Sequence, residues 1–554
     1  MMGSGRVLAF ATAALTGLFA LSCSVVDANQ AAPSGMGGGA TAGAGGTAPD
    51  QPVSCPHALT RRVRRLSARE YLNVLTDLLG ESAATAAKPL LPFEPRLAGF
   101  DNQDGGLLVS AAYQEALFNI AEKVAGDADP VALAPCAAGA DAAGCLSAFA
   151  QSFARRAYGR APTGEESSRL LAAGATGTDY ATSVRLVIEA VLQSPNTVYA
   201  TELGPLDAGK TGAEVALAPH EVASQMSLVL TAARPDEALL AAVDAGQLST
   251  ADELRAQLTR LLATPRAQQQ LRHFIDGWLD IGPVADAPKD GTAFPDYTPA
   301  LAEAMQQELD QFIDAKIAGG SGTLLSLFTD ASSNIPPALA PIYAATLTPN
   351  GLDPARRKGI LSLPGLLTYH SADQHSGPIE RGLFVKRQLF CQVLPPPPAS
   401  VLDRLARMPL DTHDTKRTTR QKYEMHVNEP FCAGCHDQFD GIGFGLEEMD
   451  ALGRYRTTEN GLPVDSSGNL VGTDVDGPFN GVVELTDKLA KSELIRSCFT
   501  QHFFRFSASR PPNADEQCVV DAWSKTFSAG GTHLQDLLLS WLTDPRFGVR
   551  KEDR

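Results

Sequence analysis

Long apolar runs are scarce in this chain. Beyond Leu21 no segment approaches the roughly 20 apolar residues that a bilayer crossing needs, so the body of the chain does not read as a membrane bundle. Excess positive charge is also missing. The 46 Lys and Arg face 63 Asp and Glu, a net charge of −17 without long acidic runs. That balance argues against nucleic acid as a partner and indicates solubility. There is no G-x-S-x-G elbow, no P-loop and no H-E-x-x-H, so the common hydrolytic and nucleotide signatures are absent. Nor is there a second C-x-x-C to complete a four-cysteine zinc site, or a βαβ pattern to make the first one thioredoxin-like.

That first C-x-x-C is followed by histidine: Cys432-Ala433-Gly434-Cys435-His436. C-x-x-C-H is the attachment pattern for a c-type haem. Two thiols three positions apart each add to one vinyl group of a single haem, and the adjoining imidazole becomes the proximal iron ligand. The alternative is a plain C-x-x-C disulfide. Haem attachment takes place outside the cytoplasm, and the N-terminus agrees. Arg6 precedes an apolar run, Val7 to Leu21, followed by small residues around Cys23, which reads as a secretory signal. Ala20-Leu21-Ser22-Cys23 resembles a bacterial lipobox with a changed order, and on that basis Cys23 is the lipidated first residue of the mature protein. Residues 31–52 are almost entirely Gly, Ala, Ser, Thr and Pro, a flexible leash. The expected location is an outer-membrane-anchored lipoprotein, periplasmic or at the cell surface.

Setting aside Cys23, Cys432 and Cys435, six cysteines remain, enough for three bridges. Proximity in sequence favours Cys136–Cys145 and Cys498–Cys518, leaving Cys55 with Cys391. The basic cluster Arg61, Arg62, Arg64, Arg65 and Arg69 reads as a salt-bridged or solvated face, with acidic head groups as the alternative.

The remainder is mostly helical in pattern. Ser67 to Glu70 and Thr163 to Glu166 are capping boxes, the first with Leu66 and Tyr71 placed as a hydrophobic staple. Further helices are expected over residues 219–232, 236–245, 250–264, 266–281, 299–317, 482–507, 514–526 and 533–543. Pro395 to Pro398 is a stiff extended segment, and Asn460-Gly461 and Ser467-Gly468 mark turns between short strands. The expected fold is a mainly α, multi-domain helical protein with a cytochrome c-like haem-binding segment and a small β-hairpin region near 454–475. The expected division is a signal peptide at 1–22, a lipid-anchored linker at 23–53 and helical domains at 54–205 and 206–350. A haem-attachment domain at 351–460 and a β-hairpin plus helical domain at 461–554 complete it.

Several stretches carry a resemblance: Arg65-Leu66-Ser67-Ala68-Arg69-Glu70-Tyr71, Phe153 to Tyr158, Pro235 to Leu240, Leu262 to Ala267 and Arg381 to Val385. It is closest from His426 through Cys432 and His436 to Gly441-Ile442-Gly443-Phe444 and Gly453-Arg454-Tyr455-Arg456. In this order they resemble exported planctomycete and myxobacterial proteins of chained domains of unknown function, some labelled planctomycete cytochrome-like. The resemblance implies an envelope protein with one covalent haem and implies no particular reaction. The chain shows no separate N-terminal cytochrome module, so the expected haem is single.

The sixth iron ligand separates an electron carrier from a catalyst. The candidates are His370, Met449 and His426, each with a bland alternative as a core or capping residue. Arg381 and Arg454 suit haem propionates or, equally, structural ion pairs. Asp373 beside His370 and His375 weakly suggests a second metal or acid–base pair. The favoured function is electron transfer by a lipid-anchored mono-haem cytochrome with an envelope redox partner. The alternatives are a haem-dependent oxidoreductase of the peroxidase or oxygenase kind, and a helical binding or scaffold module with an accessory haem.

Overall fold

The computed structural model describes Cys55 and residues 58–137, 140–205, 214–317, 322–348, 351–398, 414–428 and 430–551. The expected leader, Cys23 and the leash lie outside these residues. The described residues belong to one contact unit, Val53–Arg554. Helices dominate it, and none among the described residues is long and apolar enough to cross a membrane.

Local sequence explains the helix starts. At Ser67 the hydroxyl accepts from Glu70 N (3.3 Å) while Glu70 Oε2 accepts from Ser67 N (2.8 Å), which opens the helix Ala68–Leu79. Thr163 and Glu166 repeat the device ahead of Gly164–Gly174. The expected single helix over 482–507 is instead two, Gly481–Leu489 and Glu493–Ala508. Asp474 Oδ2 accepts from Glu493 N (2.6 Å) and Leu494 N (3.1 Å), and Ser492 Oγ from Ile495 N, so a fresh N-terminus is capped where the apolar period alone reads as continuous. The Asn460-Gly461 turn joins strands Thr458–Glu459 and Leu462–Pro463, both turn residues having positive φ as a type I′ hairpin requires. Ser467–Leu470 pairs antiparallel with Gly477–Asn480 to complete the small β region, so Ser467-Gly468, expected as a turn, instead opens a strand.

Two principal cores form. One is drawn from helices between residues 66 and 200, with Tyr71, Val74, Ile120, Phe153, Val187 and Leu192 at its centre. The other runs from Leu59 to Phe547 and is rich in rings. There Phe274 lies 5.2–6.0 Å from Phe100, Phe499, Phe503 and Phe506. The first and last strands among the described residues meet in a three-stranded sheet. Val549–Lys551 lies parallel to Leu59–Thr60 and antiparallel to Val215–Ala216.

A repeated layout links the two cores. Helix Ala142–Tyr158 ends at Gly159 in the left-handed region, and helix Glu493–Ala508 ends at Ser509 in the same region. The next residue, Arg160 or Arg510, forks onto Glu166 or Glu516, with both nitrogen–oxygen distances between 2.6 and 2.8 Å in each case. Thr163 caps the following helix, and Asn513 Oδ1 accepts from Glu516 N in the turn just ahead of it. Two helices later Pro195 or Pro545 makes a turn into strand Tyr199–Glu202 or Val549–Lys551. Each partner differs by the same offset, 509 − 159 = 545 − 195 = 350. The strands are tied by Glu202, which accepts from Arg62 Nε and Arg550 Nε (both 2.8 Å).

The disulfides correct two expected pairings. Cys136 bonds Cys145, but Cys518 bonds Cys55 and Cys498 bonds Cys391. Proximity misleads because Cys498 and Cys518 sit on successive antiparallel helices. Cys518 lies beside the connecting turn, whereas Cys498 is ten residues before the end of its helix, about 15 Å along the axis. Of the arginine cluster, four members meet carboxylates: Arg62 with Glu202, Arg64 with Glu70, Arg65 with Glu94 and Arg69 with Asp101. These four form a salt-bridged face.

Candidate functional site

The C-x-x-C-H sequence forms a short helix, Pro430–His436, directly after helix Thr419–Asn428. A separation of three on a helix puts Cys432 and Cys435 on one face. Cys435 is exposed and Cys432 half-buried, and these are the free cysteines among the described residues. Between them, a Cβ added at Gly434 would meet nothing within 4 Å. His436 Nδ1 lies 3.0 and 3.1 Å from the two carboxylate oxygens of Asp440. Asp440 accepts that proton from a buried position, its side chain 1% exposed, and so fixes the orientation of the ring. Phe439 packs on the same imidazole at 5.0 Å.

The ground under the motif is held by close backbone contact. Helix Pro378–Phe384 packs on Asp440–Phe444. A Cβ on Gly382 would stand 2.2 Å from Phe439 O, and one on Gly443 1.7 Å from Pro378 O. Only glycine fits at either position, which explains both glycines in the Arg381-Gly382 and Gly441-Ile442-Gly443 stretches.

Arg381 does something other than meet a propionate. It is 1% exposed, and its guanidinium donates to the carbonyls of Leu446 (3.2 Å), Met449 (2.7 Å), Leu367 (3.4 Å) and Asp450 (2.6 Å). Burial lowers its pKa to about 10. It clamps the turn after the motif, and a neighbouring buried arginine, Arg357, donates to Gly453 O (2.5 Å) in the same manner. Arg454 is also engaged, in ion pairs with Asp296 and Asp450. Sequence shows the charge of these arginines but not that main-chain carbonyls would take it up.

The distal candidates are dispersed. His370 Nε2 donates to Leu279 O (2.9 Å), and its ring stacks on Phe384 at 4.1 Å; burial lowers its pKa to about 4, keeping it neutral. Met449 is fully buried beneath the turn that Arg381 clamps. The side chain of His426 lies outside the described residues. His375 Nδ1 accepts from Gly377 N (3.1 Å), so its Nε2 donates to Tyr423 Oη (3.1 Å) on the helix leading into the motif. Burial depresses His375 to about 4 and raises Tyr423. The two imidazoles thus serve different partners and share no metal position with Asp373. Among the described residues, the grouping of close ligand-type atoms is Cys391, Cys498 and His502, whose two sulfurs are already bonded to each other.

Sequence reasoning missed Asp440. The signal was available as a carboxylate four residues after His436, which matters only once the chain is known to stay coiled between them. Elsewhere, two cavities of about 380 and about 310 Å³ open in the helical body, both lined by Arg234. No residue after 266 lines either one.

Five segments match families described as proteins of unknown function. They are residues 64–130 (DUF1587), 145–202 (DUF1595), 217–344 (DUF1592), 357–459 (DUF1588, short name PSCyt3) and 476–547 (DUF1585). No curated protein and no solved structure matches the chain.

Proposed function

This chain belongs to the family built from these five chained, cytochrome-like domains of unknown function, and on that footing we propose that it carries one covalent c-type haem and transfers electrons. Cys432 and Cys435 hold the haem, and His436 is its proximal ligand. The carrying observation is the division of the cysteines. Six are joined in three bridges, and the two free thiols among the described residues lie on one face of a short helix next to a histidine oriented by a buried carboxylate. Haem supplies one-electron exchange at iron. The chain's own groups fix the attachment: the paired glycines Gly382 and Gly443 seat the motif, and Asp440 orients the ring. What favours transfer over turnover of a substrate is that the two larger cavities among the described residues are lined by other segments, none of their residues coming from 357–459. The protein is exported and tethered through lipidated Cys23, and its partner is a redox protein of the envelope.

The test is expression of the full chain in a host with c-type haem assembly, followed by haem staining of a denaturing gel and a pyridine haemochrome spectrum. One haem per chain is expected, with complete loss in Cys432→Ser/Cys435→Ser. A wild-type chain without covalent haem overturns the proposal and leaves these cysteines a redox-active or structural pair.

A further inference from the structure

The contact between His436 and Asp440 goes further than orientation. A neutral imidazole that donates to a main-chain carbonyl meets a dipole. Here Nδ1–H meets a full carboxylate, and both oxygens are within 3.1 Å. The carboxylate is nearly closed to solvent, with 1% of its side chain exposed. A charge-assisted hydrogen bond of this kind is stronger than a neutral one and is strengthened again where water is excluded. It draws the Nδ1 proton toward the carboxylate and leaves more electron density on the opposite nitrogen, which raises the ring's basicity as a metal ligand. The carboxylate does not swing freely, because its helix Asp440–Phe444 is pinned by the glycine contacts at Gly382 and Gly443.

We propose that Asp440 is a redox-tuning positioning residue, which makes His436 an electron-rich ligand and so favours the ferric over the ferrous state of the attached haem. The inference rests on the haem reading above and deepens it. The effect of ligand basicity and that of the buried negative charge have the same sign, since both stabilise the more positive iron. The site is therefore set for a partner that donates at low potential.

Asp440→Asn preserves shape and an acceptor oxygen while removing the charge. Redox titration of the haem-loaded full chain is expected to show the ferric preference reduced at least tenfold, a rise of about 59 mV per tenfold for a one-electron couple. An unchanged potential at unchanged haem content overturns the inference, even if the variant melts earlier, because a structural role alone lowers the melting temperature without moving the potential. A second measurement needs no substitution: the ¹⁵N shifts of the His436 ring in the haem-free chain are expected to place the proton on Nδ1, and a proton on Nε2 overturns it. A wild-type chain that acquires no haem fails at the staining step, a distinct result that overturns the parent reading and the inference with it.

Discussion

The segments 142–202 and 493–551 share one local design and put it to different uses. In both, a helix with phenylalanines ten and six residues before its left-handed end leads into an Arg–Glu fork, two more helices, a proline turn and a strand. The first segment closes a core of its own with the helices before it. The second is threaded into the ring-rich core, and its cysteines reach Cys55 and Cys391, both outside the segment itself. Local capping, turn and periodicity signals are thus compatible with two tertiary roles. The side chains added to the design decide between them: Phe504 and Phe506 stand where the first segment has Ala154 and Arg156.

The largest effect that sharpens this contrast is expected from the equivalent phenylalanines. Phe499 is 1% exposed and lies 4.9 Å from Trp278, 5.2 Å from Phe274 and 5.6 Å from Phe527. Phe499→Ala removes a ring at the junction of three others, so a loss of about 3–5 kcal/mol is expected by denaturant titration. Phe149 has Phe153 at 5.2 Å and lies nearer solvent. Phe149→Ala is expected to cost less, about 2–3 kcal/mol. Equal losses break the distinction between the two cores.

The Arg–Glu forks come next. Glu516 is 2% exposed at the side chain and Glu166 19%. Glu516→Gln leaves the Arg510 guanidinium without its buried counter-charge, at a cost of about 1–3 kcal/mol. Glu166→Gln is expected to cost about 1 kcal/mol or less, since its pair is more open to water. Acid titration reads the same two carboxylates. The Arg160 hydrogen bond lowers Glu166 to about 2, and Arg510 overcomes the burial penalty to lower Glu516 as well. Both are therefore depressed below the unfolded glutamate value of about 4.3. Their stabilisation is complete above that value and is lost as pH falls through it toward the folded pKa. The Gln variants flatten that part of the stability curve, and Glu166→Gln is expected to flatten it more, because its folded value lies further below the unfolded one.

These contrasts also show what sequence could and could not convey. Ser67–Glu70, Thr163–Glu166 and Asn460-Gly461 are legible because each encodes a contact within four residues. The mainly α fold follows from such signals together with helical periodicity. The bridges of Cys498 and Cys518 are not legible, because they depend on which helix end faces which strand across hundreds of residues. Arg381 is only half legible. Its charge is visible, yet its partners are main-chain carbonyls, which carry no side-chain signature. Asp440 sits between these cases, a local contact whose meaning required the backbone path through Gln438 and Phe439. The 350-residue offset was legible in principle, since residues 147–166 and 497–516 are identical at eight of twenty positions, but those identities do not say which side chains meet. The fork becomes visible only once its geometry is seen.

The smallest expected effect concerns the left-handed residue that ends each leading helix. Gly159 has φ +69° and Ser509 φ +54°. A side chain in this region costs roughly 1–2 kcal/mol, so the second segment bears a strain that the first avoids by having no Cβ. Ser509→Gly is expected to raise stability by about 0.5–1 kcal/mol, the relief being partly offset by the greater freedom of glycine in the unfolded chain. Gly159→Ala should do the opposite, costing about 1–2 kcal/mol, because the left-handed backbone disfavours any Cβ. The new Cβ would also stand 3.0 Å from Pro235 Cδ. Paired thermal melts of the two variants measure the difference. A destabilised Ser509→Gly would mean that the strained serine is retained to hold its carbonyl against Asp104 N (2.8 Å), a contact that joins the C-terminal segment to the loop after Phe100.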